Sequence, residues 1–239
     1  MSRFEGRVAV VTGTTSGIGA GIASALEAEG ARIFGLNVES GGVGEHVDCD
    51  VRDAASVAAA AATVLAATGG RLDHVVANAG IRGSDTAAED LAVEEWDAVL
   101  GVNLRGVFLA IQAFGRPLLA AGRGSIVAIA SMSGNRVVNV PQRTVPYNTA
   151  KAGVTALVRS LAVEWGPRGV RVNSVSPGYV STPLLEADSA LHEQWLPMTV
   201  PGRFASVEDI AAGALYLLSD DAGSCFGTDL LIDSGYTLR

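Results

Sequence analysis

Short apolar runs alternate with longer amphipathic stretches along the whole chain. Runs of this kind are typical of strands that are buried on both faces of a parallel sheet. The strands are predicted at residues 8–11, 33–36, 47–51, 75–77, 126–129, 170–175 and 230–232. Apolar positions at a spacing of three and four predict helices between them. The helices are expected at residues 16–29, 54–67, from near 96 towards 119, at 147–165 and at 210–218.

Repeated strand–helix units predict a Rossmann-like, doubly wound α/β fold. We expect three layers: a mostly parallel sheet of seven strands with helices on both faces. Pro117 is expected to end or kink the helix in which it lies. Ser206 and Asp209 resemble a capping box at the start of the last helix.

No linker rich in Pro, Gly or Ser and no internal repeat divides the sequence, so residues 1–239 are predicted to form a single domain. One long stretch, from Gly178 to Ala205, lacks a clear period and is rich in Pro, Leu and Met. Because a long irregular segment in a compact domain usually serves function, we predict that it forms a lid over a substrate.

Composition excludes several classes of protein. The net charge is −8, and the 17 basic residues are scattered singly, which argues against nucleic-acid and membrane partners. A hydrophobic content of 49% argues against disorder. Cys49 and Cys225 are expected as thiols, and the three histidines show no metal-ligand spacing, so no metal is predicted. Residues 1–7 lack the apolar core of a signal peptide, and we expect a cytoplasmic protein.

A glycine-rich turn follows the first predicted strand directly. Its spacing is G-x-x-x-G-x-G, which differs from the G-x-G-x-x-G fingerprint. Glycines at the start of a helix let backbone N–H groups approach a pyrophosphate, so the turn predicts a dinucleotide site. The residues of the turn that we expect to contact the cofactor are Gly13, Thr15, Ser16, Gly17, Ile18 and Gly19.

The end of the second strand is the place where such folds distinguish NAD from NADP. Asn37 stands there, and it can bond a ribose hydroxyl without repelling a phosphate. Glu39, two residues further on, favours NAD, because a carboxylate repels the 2′-phosphate of NADP. The cofactor is therefore predicted to be NAD, with NADP left open.

Tyr147 and Lys151 are four residues apart on a predicted helix, so they share one face. A nearby ammonium favours a phenolate and lowers its pKa, which suits proton transfer to or from an alcohol oxygen. Ser131, with Ser133 as its competitor, follows the fifth strand at the sheet edge where ligands bind. Asn103 lies among apolar neighbours, where a buried amide needs partners and could hold a water molecule that relays protons from Lys151.

With these residues in place, the chain resembles the short-chain dehydrogenases/reductases almost from end to end. The cofactor turn at residues 12–19 matches the family pattern, and so does the order of its other motifs. These are Asp50-Val51, Asn78-Ala79-Gly80, the tetrad Asn103, Ser131, Tyr147 and Lys151, and the loop with Pro177, Gly178, Val180 and Thr182.

The resemblance implies a mechanism. Tyr147 would exchange the proton of an alcohol while a hydride passes to or from the nicotinamide. Ser131 would bind the substrate oxygen, and Lys151 would hold the nicotinamide ribose and lower the pKa of Tyr147. Asn103 would anchor the relay water. The family also implies a homotetramer.

The 16 residues from Ser131 to Tyr147 are a long interval for the family. Members that act on sugars and polyols often carry a similar S-M-S-G … V-N-x-P-Q … Y-N pattern, which favours a polyol or sugar alcohol. Asn139 and Gln142 then either bond extra substrate hydroxyls or satisfy the backbone of their own loop. The predicted substrate contacts are Ser131, Ser133, Asn139, Gln142, Tyr147 and Tyr179. The alternatives are an NADPH-dependent reductase of ketones or 3-ketoacyl substrates and a non-catalytic dinucleotide sensor.

The chain uses arginine for every basic position except Lys151. Arginine thus replaces lysine wherever a generic cation suffices. Ammonium is a compact charge with three donors, whereas guanidinium is broad and planar. The survival of a lysine at this one position supports its assignment to the catalytic site.

Overall fold

The seven strands of the described chain form one sheet, in which every neighbouring pair is parallel. The computed structural model describes residues 2–186 and 189–239. The strand order is β3-β2-β1-β4-β5-β6-β7. The strands are β1 Val8–Thr12, β2 Arg32–Asn37, β3 Glu45–Asp48, β4 His74–Ala77, β5 Gly124–Ile129, β6 Val170–Pro177 and β7 Asp229–Ile232. This confirms the Rossmann-like doubly wound fold.

Helices cover both faces of the sheet. They are α1 Gly17–Ala28, α2 Ala54–Ala67, α3 Val93–Leu100, α4 Val107–Ala121, α5 Val145–Trp165, α6 Pro183–Glu186, α7 His192–Trp195 and α8 Val207–Leu218. Side chains of β1 alternate between two cores: Val8 and Val10 face the core that α2, α4 and α5 cover, while Ala9 and Val11 face the core under α1 and α8. The wholly apolar run of the first strand is explained by this burial on both faces.

The helix expected from near residue 96 is longer and less regular than predicted. It begins at Val93 and runs to Ala121, and a π-helical segment, Gly101–Gly106, joins α3 to α4. Pro117 lies inside α4, so of the two expected effects it does not end the helix, and a kink there stays a prediction. This helical run is long and apolar enough to cross a membrane by length and composition, but α4 packs against β4, β5 and α2 within the fold.

The third strand and the start of α8 also bear on the sequence predictions. The third strand was expected at residues 47–51 but spans Glu45–Asp48, because its pairing with β2 ends where Asn37 lies opposite Asp48. Ser206 accepts from the backbone of Asp209, and Asp209 accepts from the backbone of Ser206, which confirms the capping box.

An ionic cluster lies at the amino ends of β1 and β4. The buried carboxylate of Asp73 accepts from the backbone of Val8 and pairs with Arg7, Arg71 and Arg123. His74 lies beside it, buried, and neither of its ring nitrogens has a hydrogen-bond partner. Burial lowers the pKa of His74 to about 4, so the ring is neutral at pH 7.

Candidate active site

A cleft of about 510 Å³ opens at the carboxyl ends of the strands. The strand order reverses beside β1, and β4 lies on its other side, so this is the switch point where open α/β sheets bind ligands. The predicted site residues that line the cleft are Gly13, Thr15, Ser16, Gly17, Ile18, Asn78, Ala79, Gly80, Ser131, Ser133, Asn139, Gln142, Tyr147, Lys151, Pro177, Gly178, Tyr179, Val180 and Thr182. Five predicted residues do not line it: Gly19, Asn37, Asp50, Val51 and Asn103.

The glycine turn has the shape of a cradle for an anion. Gly13 and Gly17 have φ angles of +75° and +59°, which favour glycine. A Cβ at Gly19 would lie 2.0 Å from the carbonyl oxygen of Gly13, so this glycine allows the turn to close on itself. Ser16, at the N-cap of α1, makes no side-chain cap bond, and the first turn of α1 has no acidic residue. The first N–H groups of α1 thus suit a pyrophosphate.

The glycine turn is tied to β4 by a reciprocal set of bonds. The Thr12 hydroxyl accepts from the backbone N–H groups of Asn78 and Ala79, both at 2.9 Å. The Asn78 amide donates back to the carbonyl oxygens of Thr12 at 3.0 Å and Gly13 at 3.2 Å. Two loops that the sequence places 65 residues apart therefore form one rigid wall of the cleft.

The side chain of Asn37 forms its hydrogen bonds with other residues of the protein. Its Oδ1 accepts from the Thr14 N–H at 2.7 Å, and its Nδ2 donates to the Thr14 hydroxyl at 3.0 Å and to the Gly41 carbonyl at 3.2 Å. Both amide hydrogens are used, and the side chain is buried. Asn37 thus clamps the cofactor turn, and a direct bond from its amide hydrogens to a ribose hydroxyl is not available in this geometry.

Asp50 and Val51 lie beside the cleft wall without lining it. The Asp50 carboxylate accepts from both Nε and Nη2 of the Arg52 guanidinium, and the pairing holds the pKa of that carboxyl below its usual range. Val51 is buried, and a Cβ at Gly106 would lie 2.8 Å from its side chain. Val51 therefore packs against the π segment at Gly106.

Tyr147, Lys151 and Ser131 meet in the cleft. Lys151 is 3% exposed, and its Nζ donates to the carbonyl of Ile129 at 2.7 Å. The ammonium lies 5.7 Å from the centre of the Tyr147 ring. Ser131 lies beside Tyr147 in the cleft. The i, i+4 spacing on α5 and the end of β5 therefore bring these three groups together.

Burial shifts the pKa values of both Tyr147 and Lys151. Burial raises the pKa of Tyr147, and the hydrogen bond with Ser131 and the charge of Arg82 oppose it. Burial lowers the pKa of Lys151 to about 8, so most of its ammonium is still protonated at pH 7. The lowering of the Tyr147 pKa by Lys151 stays a prediction.

Asn103 lies behind the cleft, within the π segment. Its side chain is fully buried, and it bonds both backbone groups of Ile81, accepting from the N–H at 2.8 Å and donating to the carbonyl at 2.6 Å. It thereby fixes the turn that follows Asn78-Ala79-Gly80. These bonds use one of the two Nδ2 hydrogens and one lone pair of Oδ1, and the role of Asn103 as the anchor of a relay water stays a prediction.

The chain is similar to known proteins along nearly its whole length. A family model described as enoyl-(acyl carrier protein) reductase matches residues 13–237. D-Threitol dehydrogenase of Mycolicibacterium smegmatis is 43% identical over 99% of this chain and 95% of its own length. Galactitol 2-dehydrogenase (L-tagatose-forming) of Cereibacter sphaeroides is 40% identical over 99% of this chain and 97% of its own length. A short-chain type dehydrogenase/reductase from Mycobacterium marinum superposes with a TM-score of 0.94 at 36% identity, over 99% of this chain and 97% of that one.

The chain belongs to the short-chain dehydrogenase/reductase family. It is an NAD(P)-dependent oxidoreductase that acts on CH–OH groups. The glycine turn, the free helix start and the clamp by Asn78 fit a nicotinamide dinucleotide. Within the described residues, no group of three or more His, Cys, Asp or Glu side chains is placed to hold a metal ion.

Arg82, Thr144 and Leu185 also line the cleft of this dehydrogenase, and the charge of Arg82 acts on Tyr147. The sequence leads one to expect that the segments around them, residues 81–84, 133–144 and 178–205, shape the pocket, but it singles out none of the three as a site residue. Leu185 lies in the irregular stretch from Gly178 to Ala205, where no periodicity singles out one apolar residue.

Proposed function

We propose that this dehydrogenase interconverts a secondary alcohol and its ketone on a polyol or sugar alcohol, with Asn103, Ser131, Tyr147 and Lys151 as the working residues. The observation that carries the proposal is the meeting of Tyr147, Ser131 and Lys151 in one cleft with the glycine turn. A proton-exchanging hydroxyl, a second hydroxyl beside it and a buried cation are the groups that alcohol oxidation needs beside a hydride acceptor.

In the proposed mechanism, the nicotinamide ring supplies the hydride acceptor in oxidation and the hydride donor in reduction. Ser131 binds the substrate oxygen and orients it towards Tyr147. Tyr147 takes the alcohol proton in oxidation and returns it to the carbonyl oxygen in reduction. Lys151, anchored on the Ile129 carbonyl, favours the phenolate of Tyr147 and holds the nicotinamide ribose. Asn103 holds the Ile81 turn beside them.

Three features support the polyol class of substrate. The polar residues Ser133, Asn139, Gln142 and Tyr179 line the cleft. Asn139 Oδ1 is buried without a hydrogen-bond partner in the described structure, which suits a donor from a second substrate hydroxyl. The two curated relatives described above are named for threitol and galactitol. An NADPH-dependent reductase of ketones or 3-ketoacyl substrates is the alternative.

We propose NAD as the preferred cofactor, because the loop after β2 exposes Glu39, whose carboxylate opposes a 2′-phosphate. Since Asn37 is bonded to Thr14 and Gly41, we propose that this exposed loop, rather than Asn37, distinguishes NAD from NADP. NADP remains the alternative cofactor.

The remaining proposals follow the family. We propose a homotetramer, a cytoplasmic location, a single domain over residues 1–239 and a lid over the substrate at residues 178–205. The irregular segment closes at its base, where Ala205 donates to the Tyr179 carbonyl at 3.1 Å and Ser181 donates to the Ala205 carbonyl at 3.0 Å. Pro183 and Leu185 of this segment line the cleft.

A substrate screen tests the proposal. Polyols of four to six carbons, monohydric secondary alcohols, ketones and a 3-ketoacyl thioester are each assayed by nicotinamide absorbance with NAD(H) and NADP(H). We expect the highest kcat/KM for a polyol with NAD. Preference for the thioester with NADPH would support the reductase alternative, and dinucleotide binding without any turnover would support the sensor.

A further inference from the structure

Trp195 is the largest side chain buried to 1% exposure in the described chain, and it does not line the cleft. It lies in α7, within the irregular segment from Gly178 to Ala205. Its contacts join this segment to the wall of the cleft. The indole ring stacks on the ring of Tyr179, with centroids 4.1 Å apart and an interplanar angle of 10°. The indole Nε1 donates to the carbonyl of Val140 at 3.1 Å.

Residues 138–141 have little else to hold them. The side chains of Val138 and Val140 are 72% and 69% exposed, so they do not anchor the loop in the core. Two hydrogen bonds reach residues 138–141 from the rest of the described structure: the one from Trp195 to Val140, and one of 3.5 Å from Asn139 Nδ2 to the Tyr179 hydroxyl. Both depend on the stacked pair of Trp195 and Tyr179.

The flanks of these residues are fixed independently. On one side, Asn135 donates to the Thr155 hydroxyl at 2.6 Å. On the other, the backbone N–H of Arg143 donates to the Asp85 carboxylate at 2.7 Å. Loss of the Trp195 contact therefore frees residues 138–141 without releasing the whole loop.

The stacked pair is itself braced. Tyr236 meets the Tyr179 ring edge to face at 5.1 Å, and Phe204 meets it at 6.0 Å. Burial raises the pKa of Tyr179, so its hydroxyl stays protonated. The hydroxyl faces Asn139, whose Oδ1 has no partner. A rigid aromatic support is thus placed behind a polar group that is ready to accept a hydrogen bond.

We propose that Trp195 is a positioning residue for substrate recognition: through Val140 and Tyr179 it holds Asn139 so that its Oδ1 accepts a hydrogen bond from a second hydroxyl of the substrate. This inference rests on the proposed polyol substrate. Trp195 itself does not touch the reacting atoms. Trp195 affects the affinity for hydroxylated substrates, whereas the proton and hydride transfer depends on Ser131, Tyr147 and Lys151.

The test variant is Trp195→Phe, which keeps an aromatic ring and removes the N–H. We expect the KM of the best polyol to rise about 10-fold, as for the loss of one buried hydrogen-bonded contact, with kcat within about 3-fold. The KM of a monohydric secondary alcohol and the Kd of the dinucleotide are expected to stay unchanged, because neither needs Asn139. Trp96→Phe, a substitution on α3 outside the cleft lining, is the matched control and should change none of these values.

A double-mutant cycle shows whether Trp195 acts through Asn139. In an Asn139→Ala background, Trp195→Phe should raise KM little further, since the side chain that Trp195 positions is gone. Additive effects would overturn the inference, and so would equal losses for polyol and monohydric alcohol. If Trp195→Phe fails to fold, Tyr179→Phe keeps the stacked rings and removes the hydroxyl that faces Asn139, and an unchanged polyol KM in that variant would equally overturn it.

Backbone ¹⁵N relaxation separates this inference from the proposed function. In Trp195→Phe, the order parameters of Val138, Asn139 and Val140 should fall, while that of Arg143, whose N–H is bonded to Asp85, keeps its wild-type value. This readout needs no substrate. If the wild type oxidises no polyol, the proposed substrate class is wrong, and unchanged order parameters at residues 138–140 then show separately that Trp195 does not hold the loop.

Discussion

Lys151 donates from its Nζ to the main-chain carbonyl of Ile129 at 2.7 Å, and both residues line the cleft. The carbonyl belongs to the end of β5, and the amine comes from α5, so the bond fixes the helix against the sheet edge that carries Ser131. A Cβ at Gly80 would lie 3.7 Å from the same Nζ, which leaves a compact cation as the group that fits.

Lys151→Arg is therefore expected to lose most activity although it keeps the charge. The guanidinium cannot reach the Ile129 carbonyl from the same point without displacing Gly80 or Tyr147, and a misplacement of about 1 Å costs on the order of 100-fold in kcat. Steady-state kinetics measure the loss. Arg168 is exposed and lies outside the cleft, so the reverse exchange, Arg168→Lys, should retain wild-type kinetics.

Tyr147→Phe removes only the hydroxyl that exchanges the proton. We expect kcat to fall by about 10²–10⁴-fold, as for the loss of a general acid/base, while the dinucleotide Kd stays within a factor of about two. Single-turnover absorbance and a binding titration give the two values. Turnover near the wild-type rate would refute the assignment of Tyr147.

Asn37→Ala tests whether Asn37 supports the cofactor turn or reads the ribose. The substitution leaves the buried N–H of Thr14 without its acceptor, which costs about 1–3 kcal/mol in the free energy of unfolding. Affinity for NAD and NADP should fall by the same factor, because the turn is loosened for both. A change in the ratio of the two Kd values would instead indicate direct contact between Asn37 and the ribose.

His74 makes the stability of the fold dependent on pH. The folded protein keeps its ring neutral because burial lowers its pKa to about 4, whereas the unfolded chain takes up a proton below about pH 6.5. Acid therefore favours the unfolded state, and stability from this group is lost as the pH falls from 6.5 to 4.

His74→Leu should remove this dependence. Between pH 7 and 4.5, we expect the free energy of unfolding of the wild type to fall by about 2 kcal/mol more than that of the variant. Urea unfolding at both pH values measures it. Parallel decreases in the two proteins would show that the acid sensitivity comes from other groups, with the neighbouring Asp73 cluster as the first to examine.

The sequence predicts the elements that follow a period and the residues that share a helix face. The apolar runs located all seven strands, and the i, i+4 spacing placed Tyr147 and Lys151 together, because these relations depend on neighbours within a few residues. The π segment at Gly101–Gly106 escaped prediction, since it is a single wider turn inside one continuous helical run from Val93 to Ala121.

Polar residues show the limit of such predictions. The type and place of Asn37 and Asn103 indicate a functional site, but their amides are engaged by Thr14, Gly41 and Ile81. Residue type shows that a buried amide needs partners and does not show which partners it takes. The contact between Trp195 and Val140 joins residues 55 positions apart, and no local pattern in the sequence encodes it.

Because Lys151 is the only lysine in the sequence and is buried, proteolysis at this residue can report local opening of the fold. A protease that cleaves only after lysine has one site in the sequence, and that site lies on α5 with a side chain that is 3% exposed. Cleavage therefore requires the helix to leave the sheet, and it yields two fragments, residues 1–151 and 152–239. The rate at which they accumulate follows the population of opened molecules when reclosing is faster than cleavage. A pair of bands on a gel thus reports how often the catalytic helix detaches.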